Sequence, residues 1–304
     1  MNQLGMRSLT RHAKRVLPDP VQRLIRVGLQ RFGALTSTAR TLPDFIIIGA
    51  QRSGTTSLYR LLSAHPEVVR PTASKGIGYF DVNYEKGAAW YQGHFPLKIS
   101  ANRATKPRLP RVFESSGYYS FHPLAANRIA NDLPRTKLVM MLRDPVERAY
   151  SAHRHELVRG FETEDFAKAI ELEEFRLNGE RQRMEVEPGY QSFHHRHHAY
   201  LSRGKYAEQI RRISAAIGDD QLYLMDADDF FKNPREEFLR LQNWLELTEW
   251  IPESIPSENA QPRSPMSPQL REQLREYYAD ADAELALIMG QTPSWRRLEE
   301  THAD

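Results

Sequence analysis

Six consecutive residues, Arg52, Ser53, Gly54, Thr55, Thr56 and Ser57, combine one guanidinium, one glycine and four hydroxyls shortly after the apolar run FIIIG, with Ala50 and Gln51 between. That set suits an oxyanion. Small residues let the oxygens approach the backbone, hydroxyls and N–H groups donate, and the arginine supplies fixed charge. The spacing is close to that of a phosphate-binding P-loop, but the lysine that a nucleotide triphosphatase carries after its second glycine is replaced by Thr55. The cation, Arg52, stands two residues before Gly54 instead. A second cation, Arg143, follows the apolar run KLVMML, and Ser151 lies eight residues beyond it. With Asp144 as helix cap and Pro145 opening the helix, Ser151 falls nearly two turns in, within reach of the same anion as Arg143.

These residues need strands that end where they begin. Three apolar runs, Phe45–Gly49, Lys137–Leu142 and 221–225, read as strands buried on both faces. A helix pattern follows each: Thr55–Ala64, a segment from Pro145 to the stop at Gly160, and one from Pro234. Strand-then-helix order predicts an α/β fold, a P-loop-like doubly wound parallel sheet flanked by helices in a single domain. Residues 164–178, 206–217 and 267–289 read as further long helices. Residues 98–111 and the five-proline stretch 251–268 read as irregular loops, the first placed to line a mouth over the site.

Taken together, QRSGTTSL and LRDPVERAYS resemble the two donor-binding motifs of the sulfotransferases that use PAPS, 3′-phosphoadenosine 5′-phosphosulfate. YFDVNYEKGAAWYQGHFP, FESSGYYSFHP, YLSRGKY and DADDFFKNP agree with the heparan-type and bacterial branch of that family, so the resemblance runs over about residues 43–295. It implies that the first motif, Arg52 to Ser57, holds the phosphosulfate and that Arg143 and Ser151 hold the 3′-phosphate. Arg52 would stabilise the leaving phosphate oxygen, with 3′,5′-ADP as product and no metal required. Arg263, in a late proline-bearing loop, is the candidate for a further contact to the 3′-phosphate. The implied acceptor is a small molecule, glycan or lipid, with a sugar or glycolipid preferred.

The chain departs from that family on the acceptor side. Relatives carry a Lys-Glu pair before the aromatic pair; here Lys75 is kept and Gly76 stands at the glutamate. A later catalytic lysine, after a glutamate, is replaced by Ser115. The general base is therefore sought among Glu114, His122, Asp81 and His94, with Glu114 leading and His122 next, and Lys75, Asp81 and His94 are assigned to the substrate side. The cluster FHHRHH (His194, His195, His197, His198) suits imidazole ligation of a metal by residue type, but a solvated or substrate-facing segment is the preferred reading.

The 304 residues contain no cysteine, which excludes disulfides and thiol chemistry. Mean hydropathy is −0.62, and no apolar run approaches the roughly 20 residues of a membrane span. A net charge of +3 conceals an asymmetry: residues 1–40 hold eight of the 42 Lys/Arg and one of the 39 acids, leaving 34 basic against 38 acidic residues elsewhere. Residues 1–42 are thus set apart as a basic, partly helical leader to a domain over 43–304. Within the leader, Val21, Leu24, Ile25, Gly28, Leu29 and Phe32 share one helix face. Packing of that stripe on the domain is preferred to peripheral membrane contact, and nucleic-acid binding is not expected because no reading motif interleaves the charge. A cytoplasmic, possibly membrane-peripheral location is expected. Two other functions keep a place: a P-loop kinase or NTPase, which the absent lysine and the Arg143/Ser151 pair oppose, and a non-catalytic nucleotide-binding, membrane-associated protein, which the missing base favours.

Overall fold

The computed structural model describes residues 19–72, 74–187, 189–253 and 266–300. Five parallel strands form one sheet in the order β2-β3-β1-β4-β5, from β1 (Phe45–Gly49), β2 (Val68–Val69), β3 (Arg111–Ser115), β4 (Lys137–Leu142) and β5 (Leu222–Asp226). The helices, in chain order, are α1 (Asp19–Leu35), α2 (Thr55–Ala64), α3 (Ala88–Gln92), α4 (Lys98–Thr105), α5 (Ala125–Asp132) and α6 (Pro145–Val158). They continue with α7 (Phe166–Glu171), α8 (Glu173–Leu177), α9 (Glu180–Val186), α10 (Phe193–His197) and α11 (Tyr206–Ile217). After β5 come α12 (Ala227–Lys232), α13 (Pro234–Trp244), α14 (Pro268–Tyr277), α15 (Ala279–Met289) and α16 (Ser294–Glu300).

Alternation along the strands fills both faces. Ile46, Ile48, Leu138, Met140 and Leu142 join α5, α11 and α15 on one side through Ile129, Ile210 and Leu285. Phe45, Ile47, Phe113, Val139 and Met141 meet α2, α12 and α13 on the other through Leu62, Phe230 and Phe238. This is why β1 and β4 are apolar throughout rather than alternating with polar residues. From β1 the chain turns to β2 and β3 on one side, then crosses to β4 and β5 on the other. The adjacent ends of β1 and β4 are therefore the switch point at which α/β sheets leave a crevice for ligands.

Some expectations shift. The segment 98–111 is not wholly irregular, because α4 occupies its first half and Pro107 follows the helix end. The helix expected over 164–178 is broken at Leu172, and the one over 267–289 at Tyr278. The third strand lies at Leu222–Asp226, one residue later than its apolar pattern, because Asp226 pairs with Leu142 before its side chain caps α12.

Candidate active site

The loop between β1 and α2 is held by its backbone. Ala50 N donates to Met141 O at 2.8 Å, so the loop leaves β1 still paired to β4. Arg52 (φ 74°) and Gly54 (φ 87°) both take left-handed backbone, which for a non-glycine residue costs about 1–2 kcal/mol. At Gly54 only glycine fits, since a Cβ would lie 2.7 Å from the Phe231 ring. The helix starts here: Ser57 N and Leu58 N both donate to Gly54 O. Among the described residues no protein acceptor takes the amides of Gly54, Thr55 and Thr56, the open donors that a helix N-terminus offers an anion.

Three cations from three segments converge on these amides. Arg143, at the end of β4, donates to the Arg52 carbonyl at 3.2 Å and stands 3.9 Å from Glu147. Arg52 Nε donates to the Ser151 hydroxyl at 3.1 Å, so the two sequence anchors meet directly. Asp144 caps α6, accepting from Val146 N at 2.8 Å, which sets Ser151 two turns in on the face toward the loop. Lys75 comes from the chain beyond β2, and its Nζ donates to Thr55 Oγ1 at 3.2 Å and Thr56 Oγ1 at 3.1 Å. No described carboxylate pairs with that ammonium. Burial, and to a lesser degree Arg60, hold its pKa down to about 8. The sequence placed Lys75 on the substrate side; the structure brings it to the loop. Of the hydroxyls, Thr55, Thr56 and Ser57 belong to the helix start, whereas Ser53 is fully buried and faces the interior.

Two supports of this loop lie in the YLSRGKY stretch but are not among the site residues read from the sequence. Arg203, buried, donates to Gln51 Oε1 and to the carbonyls of His195 and Arg196, and lies over the rings of Tyr118 and Phe121. Tyr206 donates to the Arg143 carbonyl at 2.8 Å. A tyrosine at a helix start reads as packing in a sequence, and only the fold shows its hydroxyl holding a site residue.

The acceptor-side candidates separate. Glu114 is fully buried, and its two oxygens accept four hydrogen bonds. Tyr91 and Tyr119 donate to Oε1 at 2.9 and 3.1 Å, Ile77 N and Ser116 to Oε2 at 3.0 and 2.8 Å. Burial pushes its pKa up to about 7 against those bonds. A carboxylate so enclosed positions the 75–78 segment and offers no oxygen to an acceptor. His122 is buried, accepts from Leu124 N at 3.2 Å, and is pushed down to about 3 by burial and by Arg128 and Arg212. His94 bonds the Trp90 carbonyl at 2.8 Å within its own helix turn. Asp81 differs: half-buried, it lines an open cleft with Tyr84, His122, Arg128 and Tyr190. Its carboxyl is raised by burial, opposed by the Val82 amide and by Arg196 and Arg128.

Gly76 explains the gap in the motif. A Cβ there would meet Ser115 O at 2.5 Å and Ser116 Oγ at 3.0 Å, so the backbone lies against β3 where a side chain would stand. The histidine cluster packs inward rather than being solvated. His197 meets Glu156 at 2.9 Å, His198 bonds Phe161 O at 2.8 Å and His194 at 2.9 Å, and His195 bonds the Tyr118 hydroxyl at 2.7 Å. Arg263 lies outside the described residues.

A parallel sheet with an anion cradle at its switch point defines a P-loop-like α/β fold. The sulfotransferase domain family model matches residues 42–261, and the chain belongs to that family. It is 29% identical over 235 residues to a bifunctional heparan sulfate N-deacetylase/N-sulfotransferase 1 of Caenorhabditis briggsae, covering 71% of this chain and 24% of that protein. A human bifunctional heparan sulfate N-deacetylase/N-sulfotransferase 2 is 29% identical over 225 residues, covering 70% and 23%. The chain thus spans about a quarter of the length of these relatives. The crystal structure of a sulfotransferase from Alicyclobacillus acidocaldarius superposes with a TM-score of 0.62 at 27% identity, covering 84% of this chain and 99% of that one.

Proposed function

We propose that the chain transfers the sulfuryl group of PAPS to a hydroxyl or amine of a carbohydrate acceptor and releases 3′,5′-ADP. The observation that carries this reading is the convergence of Arg52, Lys75 and Arg143 on the open N-terminus of α2. Positive groups beside a helix end that is itself positive suit a polyanion, and a phosphosulfate with a second phosphate supplies several negative charges. Arg143 and Ser151 take the 3′-phosphate. The amides of Gly54 to Thr56 take the 5′-phosphate.

The acceptor atom attacks sulfur in line as the bond from sulfur to the bridging oxygen breaks, and that electron pair stays on the phosphate. Arg52 and Lys75 lie where this charge develops, the position at which cations lower a transfer barrier most. The acceptor proton goes to Asp81, the one candidate carboxylate that opens to a cleft. Arg128 steadies it from behind, donating to the carbonyls of Phe80 and Asp81 at 2.9 and 3.0 Å. The named heparan sulfate relatives favour a glycan with a free amine or hydroxyl.

Calorimetry with 3′,5′-ADP and with ATP–Mg²⁺ tests the donor site. Tighter binding of ATP–Mg²⁺ rejects it in favour of a kinase or NTPase. Transfer of labelled sulfate from PAPS to de-N-sulfated heparan and to sugar and lipid extracts tests the reaction. Donor binding with no transfer to any of them favours a non-catalytic nucleotide-binding protein.

A further inference from the structure

Helix α1 is docked with its apolar side outward. Contact with the domain runs through Gly33, which lies so close to Gly93 that a Cβ would stand 2.6 Å from the Gly93 carbonyl, with Gln30 and Ala34 half-buried beside it. The connection that follows is fixed. Arg40 is buried and donates to Phe95 O at 2.6 Å and Thr36 Oγ1 at 2.8 Å, and Gln92 returns a bond to Arg40 O at 3.0 Å. The stripe that the sequence assigned to packing is left at the surface: Leu24 is 74% exposed, Leu29 66%, Phe32 57% and Leu35 85%. At 100° per residue these four, with Val21 and Ile25, fall on one side of the helix.

A second element adjoins the end of the leader. Lys98 of α4 donates to Thr38 O at 3.0 Å, tying α4 to the end of the leader. On α4 and the loop after it, Ile99 and Leu109 are exposed apolar residues, and Arg103 and Lys106 are exposed cations. Residues 98–113 contain five Lys/Arg and no acid, of which Arg108 pairs with Glu67 and Arg111 with Asp44 and Glu246, and residues 1–40 contain eight against one. Exposed leucines and a phenylalanine, with the exposed cations Arg31, Arg103 and Lys106 on the same two segments, are what an anionic bilayer surface binds. Apolar side chains enter the acyl boundary while Lys and Arg reach the headgroups. A second copy of this chain would instead bring two such sets of cations together. The patch is also tied to the chain that carries Lys75, for Gly93, against which α1 packs, precedes His94, whose carbonyl accepts from Thr72 N at 2.9 Å, three residues before Lys75.

We propose that α1 and the 98–109 segment form a peripheral docking surface for anionic lipid, which holds the cleft next to a membrane. Neither observation depends on the sulfotransfer reading. The full chain is sedimented with vesicles of phosphatidylcholine alone and of equal parts phosphatidylcholine and phosphatidylglycerol. Binding is expected only to the second. The triple variant Leu24→Ser/Leu29→Ser/Phe32→Ser is expected to bind at least tenfold more weakly, and Arg103→Ser/Lys106→Ser to lose its preference for phosphatidylglycerol. Circular dichroism and 3′,5′-ADP affinity report whether these variants fold and keep the donor site. Wild-type protein that ignores both vesicles overturns the proposal. If it is then a dimer that the triple variant converts to monomer, a second copy covers the stripe. If it is a monomer, neither lipid nor a second copy covers the stripe. Undiminished vesicle binding by the triple variant overturns it as well, since the attraction would then be charge alone.

Discussion

Lys75 and Glu114 show how far one side chain's surroundings decide its part. Lys75 has lost the water that would hold its proton, and its partners are hydroxyls rather than carboxylates. Its pKa near 8 therefore leaves it charged at neutral pH and neutral above. Affinity for PAPS is expected to fall as pH rises through about 8 and to stay level in Lys75→Arg, whose guanidinium does not titrate there; Kd measured across that range checks it. Lys75→Met should lower turnover by about 10²–10³-fold, the usual scale for removing a donor aimed at developing charge. A smaller loss in 3′,5′-ADP binding should accompany it, because the product lacks the sulfuryl group. Asp81→Asn is expected to abolish the acid limb of the turnover profile while leaving 3′,5′-ADP affinity unchanged; an unchanged limb would remove Asp81 as base. Glu114 behaves otherwise. With its folded pKa raised to about 7, its contribution to stability is full below the unfolded value of about 4.3 and is lost as pH rises through about 7. Glu114→Gln should flatten that part of the melting profile. It should also cost about 1–3 kcal/mol, since the Tyr119 hydroxyl already accepts from the Tyr79 and Phe80 amides and cannot also accept from a glutamine N–H.

At the level of elements, glycines at close approaches matter more than propensity. Gly76→Glu restores the residue type that relatives carry but not a base, because its Cβ would enter the β3 backbone; a loss of about 1–3 kcal/mol with no gain in turnover is expected on thermal unfolding and assay. The elements that carry the donor site were legible because they are local. A buried strand announces itself by an unbroken apolar run, as in β1 and β4, and a helix start by its cap, as at Asp144-Pro145. What the sequence hides is what depends on distant partners. Two-residue β2 has too little pattern to register. The break at Leu172 follows from Glu173 turning its carboxylate to the amides of Tyr200, Leu201 and Ser202, a contact across 27 to 29 residues. The outward stripe of α1 defeats the rule that apolar faces meet the core, because a Gly33–Gly93 contact fixes the docking. Glu114 read as a cleft acid because its strand-end position is visible in sequence, while Tyr91, which encloses it together with nearby Tyr119, comes from 23 residues earlier in the chain.

The whole molecule is held together at the site by segments that are remote in sequence. Lys75 precedes β3, Arg52 follows β1, Arg143 follows β4, and Ser151 lies on α6, so a ligand that touches all of them links both halves of the sheet. Binding of 3′,5′-ADP should therefore stabilise the fold as a unit rather than a single loop. At 100 times its Kd the gain is about 2.7 kcal/mol, which for a chain of this length raises Tm by about 4 °C. The shift should survive EDTA, since arginine and lysine rather than a divalent ion meet the negative charge, and it should shrink with added salt as screening weakens the more exposed part of that attraction. Scanning calorimetry with and without 3′,5′-ADP, EDTA and salt measures all of these. A shift that disappears with EDTA would assign the charge neutralisation to a metal and return the loop to the triphosphatase reading. A shift that persists in Arg143→Ala would detach the second motif from the site.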